Sequence, residues 1–205
     1  MKTTRWIFFD VGSTLVDESL CYEDCIHQVI QGTTLTYDQF LQTMLDYYHQ
    51  NLAGDHEAAA FYQLPLPKWP PHLEHPYPEA QDCLKQLHQS YKIGIIANQY
   101  LGTTERLKQY GLLPYIDLVV SSEEEGVKKP DLRIFRLALQ RAGCSAEESY
   151  MIGDRLDNDI VPAKALGMKT IRILQGFGQY ATVRFEEERP DHTIGSLNEL
   201  IDMFL

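Results

Sequence analysis

Four polar positions in the sequence each follow a short apolar run, and together they could bind a cation and a phosphoryl group. These positions are Asp10, Asn98, Lys129 and Asp154. If the apolar runs are neighbouring parallel strands, their carboxyl ends lie along one edge of a sheet, where ligands bind in open α/β folds. We therefore expect two acids, an amide and a lysine to converge at that edge.

Asp10 is followed by Gly12, Ser13 and Thr14, a composition typical of a turn. A strand-end carboxylate can attack phosphorus or bind a cation, and free N–H groups in the turn can hold an anion. Asp10 is accordingly a candidate nucleophile. The alternative is an acid that only caps the following turn.

Asp154 supplies a second strand-end acid, and Asp157 and Asp159 follow closely. Carboxylates brought together repel unless a cation lies between them, and oxygen-only ligands favour Mg²⁺. A magnesium ion shared by Asp10 and Asp154 requires their oxygens to lie within roughly 5 Å of each other. The alternative is a solvated helix start, where acids are favoured by the helix dipole.

Lys129 precedes a proline and could steady a phosphoryl oxygen as a point charge. Lys128 competes for this assignment. Asn98 could donate an amide hydrogen to a phosphate oxygen or tie the loop in place. Each signal is weak alone, but their order along the chain supports one shared site.

Short β-rich runs alternate with helical patterns after residue 80, which predicts repeated βαβ units. The expected fold is α/β, with a Rossmann-like parallel sheet of about five strands. The predicted strands are residues 5–9, 92–97, 118–121, 150–152 and 169–174. The predicted helices are residues 80–89, 104–110, 132–142 and 160–166, with a final helix starting near 196.

The segment between the first strand and this alternation has a different character. A capping box formed by Thr36 and Gln39 starts a helix running towards Leu52. Six of the ten prolines lie between positions 65 and 78, which favours an extended connector. We therefore expect residues 17–76 to form a small all-helical cap domain, and residues 1–16 and 77–205 to form the core.

The composition excludes several classes of protein. The net charge is −11, from 29 acidic and 18 basic side chains, so nucleic-acid binding is not expected. No apolar run is long enough to span a membrane or act as a signal peptide. The four cysteines have spacings that favour reduced thiols. We expect a cytoplasmic protein that is a monomer or a homodimer.

Four segments resemble the motifs of the haloacid dehalogenase (HAD) superfamily, which is dominated by Mg²⁺-dependent phosphatases. They are residues 8–15 (FFDVGSTL), 95–98 (IIAN), 126–131 (GVKKPD) and 152–160 (IGDRLDNDI). The resemblance implies that Asp10 is the nucleophile, Lys129 clamps the phosphoryl group and Asp154 is a metal ligand. It also implies that Asp159 orients the lysine or the metal's waters, and that the inserted helices form a cap that selects a small phosphorylated substrate.

The resemblance extends to the remaining site positions. The metal ligands it implies are Asp10, Asp154 and the backbone carbonyl of Gly12, with Asp159 and Asp157 outside them. Together with the turn and the strand-end amide described above, it gives Ser13, Thr14, Ala97, Asn98 and Lys129 as the expected phosphate-binding positions.

The chain departs from the HAD phosphatase pattern at two positions. Gly12 replaces a second aspartate that acts as general acid and base, and Ala97 replaces a serine or threonine that touches the phosphoryl group. A positioned acid–base group contributes roughly 10²–10⁴-fold to a rate. We therefore expect slow turnover, best with aryl or acyl phosphates, and a gain of roughly tenfold or more from Gly12→Asp.

Two other functions remain open at this point. Enzymes that displace halide from 2-haloacids also lack the second aspartate, although they need no cation and usually replace the Gly153-Asp154 pair. A binding protein that retains the fold without turnover would explain the loss of both side chains. Halide release in the presence of a chelator, or ligand binding without hydrolysis, would identify these cases.

Overall fold

The apolar runs form a six-stranded parallel sheet in the computed structural model, which describes residues 5–205. The first four residues of the predicted core segment 1–16 lie outside this range. The strands of this sheet are β1 (Trp6–Phe9), β4 (Lys92–Ala97), β5 (Leu118–Ser121), β6 (Ser149–Gly153), β7 (Lys169–Ile173) and β8 (His192–Ile194). Their order is β5-β4-β1-β6-β7-β8. The parallel α/β prediction is confirmed.

The sequence predicts about five strands, and the sixth strand, β8, is the one that it does not indicate. β8 is three residues long and only Ile194 is buried, so its pattern carries almost no strand signal. It pairs with β7 and is the last strand at that edge of the sheet. Two further short strands, β2 (Val16–Asp17) and β3 (His75–Pro76), pair antiparallel with each other.

Both faces of the sheet are buried, which explains the continuous apolar runs in its central strands. Successive side chains of a strand point to opposite faces. Ile7 and Phe9 therefore join one hydrophobic cluster, whereas Phe8 joins the other with Phe135 and Met151.

Helices on the two faces supply the rest of these clusters. The core helices are α4 (Ala80–Leu87), α5 (Thr103–Gln109), α6 (Ser122–Glu125), α7 (Leu132–Ala142), α8 (Val161–Ala165) and α9 (Asn198–Phe204). The predicted helix at 160–166 instead begins with a π-helical turn over Leu156–Ile160, which precedes α8. Among the described helices, none combines the length and the apolar content needed to cross a bilayer.

The segment expected to form the cap contains α1 (Ser19–Ile30), α2 (Tyr37–Tyr48) and α3 (Gly54–Phe61). The predicted Thr36 and Gln39 capping box is present at the start of α2. These helices share a hydrophobic cluster that includes Phe40 and Met44. The β2–β3 pair lies where the chain enters and leaves this segment.

Candidate active site

The site lies at the carboxyl edge of the sheet, beside its central strand. Asp10 follows β1 and Asp154 follows β6, and these two strands are hydrogen-bonded neighbours. β4 pairs with the opposite edge of β1. The strand order therefore reverses direction at β1, with β4 and β5 on one side and β6, β7 and β8 on the other. Such a switch point opens a crevice at the carboxyl ends of the strands. The adjacency of β1 and β6 brings the two acids together.

Three carboxylates meet in this crevice. Each of Asp10, Asp154 and Asp159 offers an oxygen, and these oxygens all lie within 4.8 Å of one another. The spacing falls inside the limit of roughly 5 Å that a shared magnesium ion requires. Asp159 is fully buried and Asp154 is 4% exposed, so water screens their mutual repulsion poorly.

Lys129 reaches this cluster from the loop before α7. Its Nζ lies 2.7 Å from Asp10 Oδ1 and 2.5 Å from Asp159 Oδ1. Burial lowers the pKa of Lys129, but the two adjacent carboxylates outweigh burial and raise the pKa above its ordinary range. The lysine is therefore charged and neutralises part of the acid cluster. Lys128 lines the same cavity but makes no such contact with Asp10.

The Asp154 carboxylate differs from its two neighbours in its contacts within the described residues. Among residues 5–205, no side chain forms an ion pair or hydrogen bond with it, although Lys129 serves the other two acids. Burial, reinforced by Asp159 and Asp10, raises the pKa of Asp154 well above its ordinary range. Buried ionised carboxylates require a counter-charge. An all-oxygen cluster with one such acid fits a hard divalent cation.

The loop after β7 closes around Asp154. A Cβ atom on Gly178 would lie 2.2 Å from Asp154 Oδ2 and 2.8 Å from its backbone oxygen, so only glycine allows this approach. The buried Arg172 holds the loop by donating hydrogen bonds to the carbonyls of Gly178 and Ala181, at 2.7 and 2.8 Å.

Asp159 has the contacts of a positioning group. One of its oxygens accepts from Lys129 and the other accepts the Arg155 backbone N–H at 3.0 Å. Asp157, predicted to lie just outside the metal ligands, instead pairs with the Arg155 guanidinium at 2.9 and 2.8 Å. The π-helical turn directs it away from the carboxylate cluster, because Asp157 and Asp159 are two positions apart on a helical turn.

Two predicted phosphate-binding positions lie at the carboxyl end of β4, Ala97 as its last residue and Asn98 directly after it. The Asn98 amide donates to the Lys129 carbonyl at 2.9 Å, and its Oδ1 accepts the Lys129 backbone N–H at 2.7 Å. Asn98 therefore ties the lysine loop in place, which was one of the two roles considered. Ala97 is fully buried in the sheet core and does not line the cavity.

The turn after Asp10 corrects another expectation. The Ser13 N–H donates to Val16 O at 2.8 Å and the Thr14 N–H donates to Val11 O at 3.3 Å, so neither is free for an anion. The Thr14 side chain is fully buried and does not line the cavity. The turn folds tightly onto itself, which uses these donors internally.

Glu18 lies beside the vacant side-chain position of Gly12. A Cβ atom on Gly12 would lie 2.3 Å from Glu18 Oε1 and 2.7 Å from Oε2. The Ser13 hydroxyl donates to Glu18 Oε2 at 3.1 Å. Removal from bulk water, reinforced by the Asp10 charge, raises the pKa of Glu18 to about 8. The site thus contains a carboxyl group next to position 12 that the motif comparison did not indicate.

A cavity of about 410 Å³ connects this edge of the core with the helical segment. Its floor includes Asp10, Lys129 and Asp154, and its opposite wall includes Tyr22, Tyr48 and Trp69. Three side chains important to its shape were missed from sequence. Arg155 lies 5.3 Å from the centre of the Tyr48 ring, Arg172 holds the loop after β7, and Glu18 reaches Gly12. Each acts through contacts that no local motif encodes.

Comparison with known proteins agrees with this architecture. A glyceraldehyde 3-phosphate phosphatase from Methanocaldococcus jannaschii is 42% identical over 133 residues, which are 64% of this chain and 57% of that protein. A protein of the same name from Pyrococcus furiosus is 31% identical over 228 aligned positions, covering 99% of this chain and 94% of the relative. The crystal structure of a HAD phosphatase from Thermococcus onnurineus has 25% identity and a TM-score of 0.68, over 98% of this chain and 97% of that one.

The chain spans little more than half the length of several curated relatives, 55–57% in three of them. The match to a family model extends along most of this chain, from the second residue of β1 to the end of β7. Residues 7–173 match the family described as haloacid dehalogenase-like hydrolase. On this match, the chain belongs to the haloacid dehalogenase-like hydrolases.

Proposed function

We propose that this protein is a Mg²⁺-dependent phosphoric-monoester hydrolase that acts through an aspartyl-phosphate at Asp10. The observation that carries the proposal is the cluster of three carboxylate oxygens within 4.8 Å of one another, with the Lys129 ammonium in contact with two of the acids. The cluster supplies a nucleophile, a cation site and a positive charge for phosphoryl oxygens in one crevice.

The chain's own residues suffice to position the reaction. Asp10 Oδ attacks phosphorus, and Lys129 lies close enough to balance charge on the transferring group. Asp159 keeps the ammonium in place from its other side. Mg²⁺ held by Asp10, Asp154 and the Gly12 carbonyl would neutralise charge on the phosphoryl oxygens. Binding at Asp154 would also give a counter-charge to the acid that has no ion-pair or hydrogen-bond partner among residues 5–205.

The substrate proposed is a small phosphorylated metabolite. The cavity of about 410 Å³ is of the size that accommodates small molecules, and aromatic side chains of the helical segment form one wall. Relatives include phosphatases named for glyceraldehyde 3-phosphate and for ribulose 1,5-bisphosphate. We propose that residues 17–76 act as a cap over the phosphate site and that cleft-facing aromatics select the organic part of the substrate.

The metal site can be tested without measuring turnover. We expect Asp154→Asn to stabilise the metal-free protein by about 1–3 kcal/mol, because a buried carboxylate without hydrogen-bond donors is removed. The same variant should lose the rise in melting temperature that Mg²⁺ causes by binding the native state. Thermal unfolding in EDTA and across a Mg²⁺ series measures both effects.

The matched control is Asp202→Asn, which removes one exposed carboxylate from α9. It should keep the wild-type response to Mg²⁺. A wild-type melting temperature that does not depend on Mg²⁺, or an Asp154→Asn variant that still responds fully, would refute the metal site.

The expected slow turnover stays a prediction. It assumes that no other side chain replaces the acid–base group missing at position 12. Halide displacement is a weaker alternative, because a cation-free mechanism gives no role to the unpartnered Asp154. Release of phosphate from a panel of phosphomonoesters in Mg²⁺, compared with halide release from 2-chloropropionate in EDTA, separates the two activities.

A further inference from the structure

The Glu18 carboxylate occupies the volume that a side chain at position 12 would fill. A Cβ atom on Gly12 would lie within 2.7 Å of both Glu18 oxygens and of Cδ. Gly12 is thus the residue that leaves room for this carboxylate. We propose that Glu18 transfers the protons of the phosphatase reaction in place of an acid at position 12, an inference that rests on the proposed function.

The backbone explains how a residue six positions later reaches Gly12. Leu15 and Val16 both donate hydrogen bonds to the Val11 carbonyl, at 2.9 and 3.0 Å, so the chain after Asp10 turns back on itself. Glu18 then flanks the first turn of α1, with its carbonyl accepting from Tyr22 N at 3.0 Å. The turn and the helix start hold the Glu18 backbone at a fixed place over Gly12.

The side chain is also oriented. Ser13, the residue next to Gly12, donates its hydroxyl to Glu18 Oε2 at 3.1 Å. In the described part of the chain, no lysine, arginine or histidine forms an ion pair with Glu18. The carboxyl group is therefore not used in a structural salt bridge, and it faces the same cavity as Asp10 and Lys129.

The proposed steps conserve atoms and charge. Asp10 Oδ forms a bond to phosphorus as the bond from phosphorus to the ester oxygen breaks, and that oxygen takes the proton of the Glu18 carboxylic acid to leave as an alcohol. Water then attacks the phosphorus of the aspartyl-phosphate and gives a proton to the Glu18 carboxylate. The bond from phosphorus to Asp10 breaks, which releases phosphate and restores both acids.

Leaving-group dependence tests this role directly. We expect Glu18→Gln to lower kcat for glycerol 2-phosphate by about 10²–10⁴-fold, the contribution of a positioned acid–base group. With 4-nitrophenyl phosphate, whose leaving group needs no proton, the variant should release about one equivalent of nitrophenolate in a fast burst and then turn over slowly. Rapid-quench kinetics on both substrates measures the size of the burst and the steady-state rate that follows it.

Controls separate proton transfer from folding and from binding. Glu23→Gln makes the same change at an exposed position of α1 and should behave as wild type. The Mg²⁺-dependent rise in melting temperature should be unchanged in Glu18→Gln. Unchanged kcat for glycerol 2-phosphate, an effect on KM alone, or equal losses on both substrates without a burst would overturn the proposal.

Relocation of the carboxyl group provides a second test. Glu18→Ala should lose turnover of glycerol 2-phosphate, and Gly12→Asp combined with Glu18→Ala should recover at least about tenfold of that loss. Gly12→Asp alone should give no gain, because the new side chain only displaces an acid already present; this replaces the roughly tenfold gain expected from the sequence without Glu18. Failure of the double variant to recover activity, or a large gain from Gly12→Asp alone, would contradict the role of Glu18.

The proposed function and this inference fail differently. Wild-type protein that hydrolyses neither substrate refutes both. Wild-type activity that depends on Asp10 but not on Glu18 leaves the phosphatase assignment intact and removes only the inference.

Discussion

Asp10→Asn is expected to lower turnover of 4-nitrophenyl phosphate by at least about 10⁴-fold, because it removes the nucleophile and with it the covalent route. The substitution is nearly isosteric and keeps an oxygen for Lys129, which lies 2.7 Å from Asp10 Oδ1 in the native site. The fold should therefore survive. Initial rates at saturating Mg²⁺ and thermal unfolding of the same samples measure the two properties.

Trapping the intermediate makes this test independent of steady-state rates. Acid quenching of wild-type protein with substrate should give a phosphorylated peptide that contains Asp10, and Asp10→Asn should give none. Phosphorylation at another residue, or a variant that retains more than about a tenth of the activity, would assign the nucleophile elsewhere.

Lys129→Met is expected to be the most destabilising change in the site. The lysine is 3% exposed and contacts Asp10 and Asp159, so its loss leaves two buried acids without their cation. Removing one partner of a buried ion pair typically costs about 3–5 kcal/mol. Turnover should also fall by about 10²–10³-fold, the usual effect of losing a charged group that stabilises the transition state.

A double-mutant cycle with Asp159→Asn separates these two effects. Lys129→Met combined with Asp159→Asn should unfold at a higher urea concentration than Lys129→Met, because one uncompensated carboxylate is gone. Activity should not return, since the positive charge is still missing. A double variant less stable than the single one would show that Lys129 does not compensate these acids.

The principal residues of the candidate site could be predicted because strand ends are local signals. Asp10 and Asp154 each follow an apolar run, and parallel strands place such ends at one edge. Residue type alone left Lys128 as a competitor of Lys129, and only the family resemblance selected Lys129. The buried contacts of Lys129 with the acid cluster are long-range and have no sequence pattern.

The residues that sequence reasoning missed or misplaced depend on tight turns. A helical spacing argument treats Asp157 and Asp159 alike, yet the π-helical turn directs one to Arg155 and the other to Lys129. The motif comparison treated Gly12 as the loss of an acid, because it looked for the acid–base group only at that position. The reversal between Val11 and Val16 that returns Glu18 to the same place is visible only in three dimensions.

The elements of the fold that the sequence does not indicate also depend on contacts between distant segments. The buried strands have continuous apolar runs, so they were predicted closely. β2, β3 and β8 have two or three residues each and are defined by their pairing partners rather than by their own composition. In the helical segment, α2 was predicted from its capping box, whereas α3 has no comparable start signal.

The aromatic contacts between the helical segment and the core have a practical consequence. Trp69 packs edge-on against Tyr22 with ring centres 5.0 Å apart, and Tyr22 packs against Phe177 at 4.7 Å. Phe177 directly precedes Gly178, the residue that approaches Asp154. The other tryptophan, Trp6, is stacked on Phe8 in the central strand, away from these rings. Changes in intrinsic fluorescence on ligand addition should therefore arise mainly from Trp69, so that the protein has a built-in optical reporter of cleft occupancy.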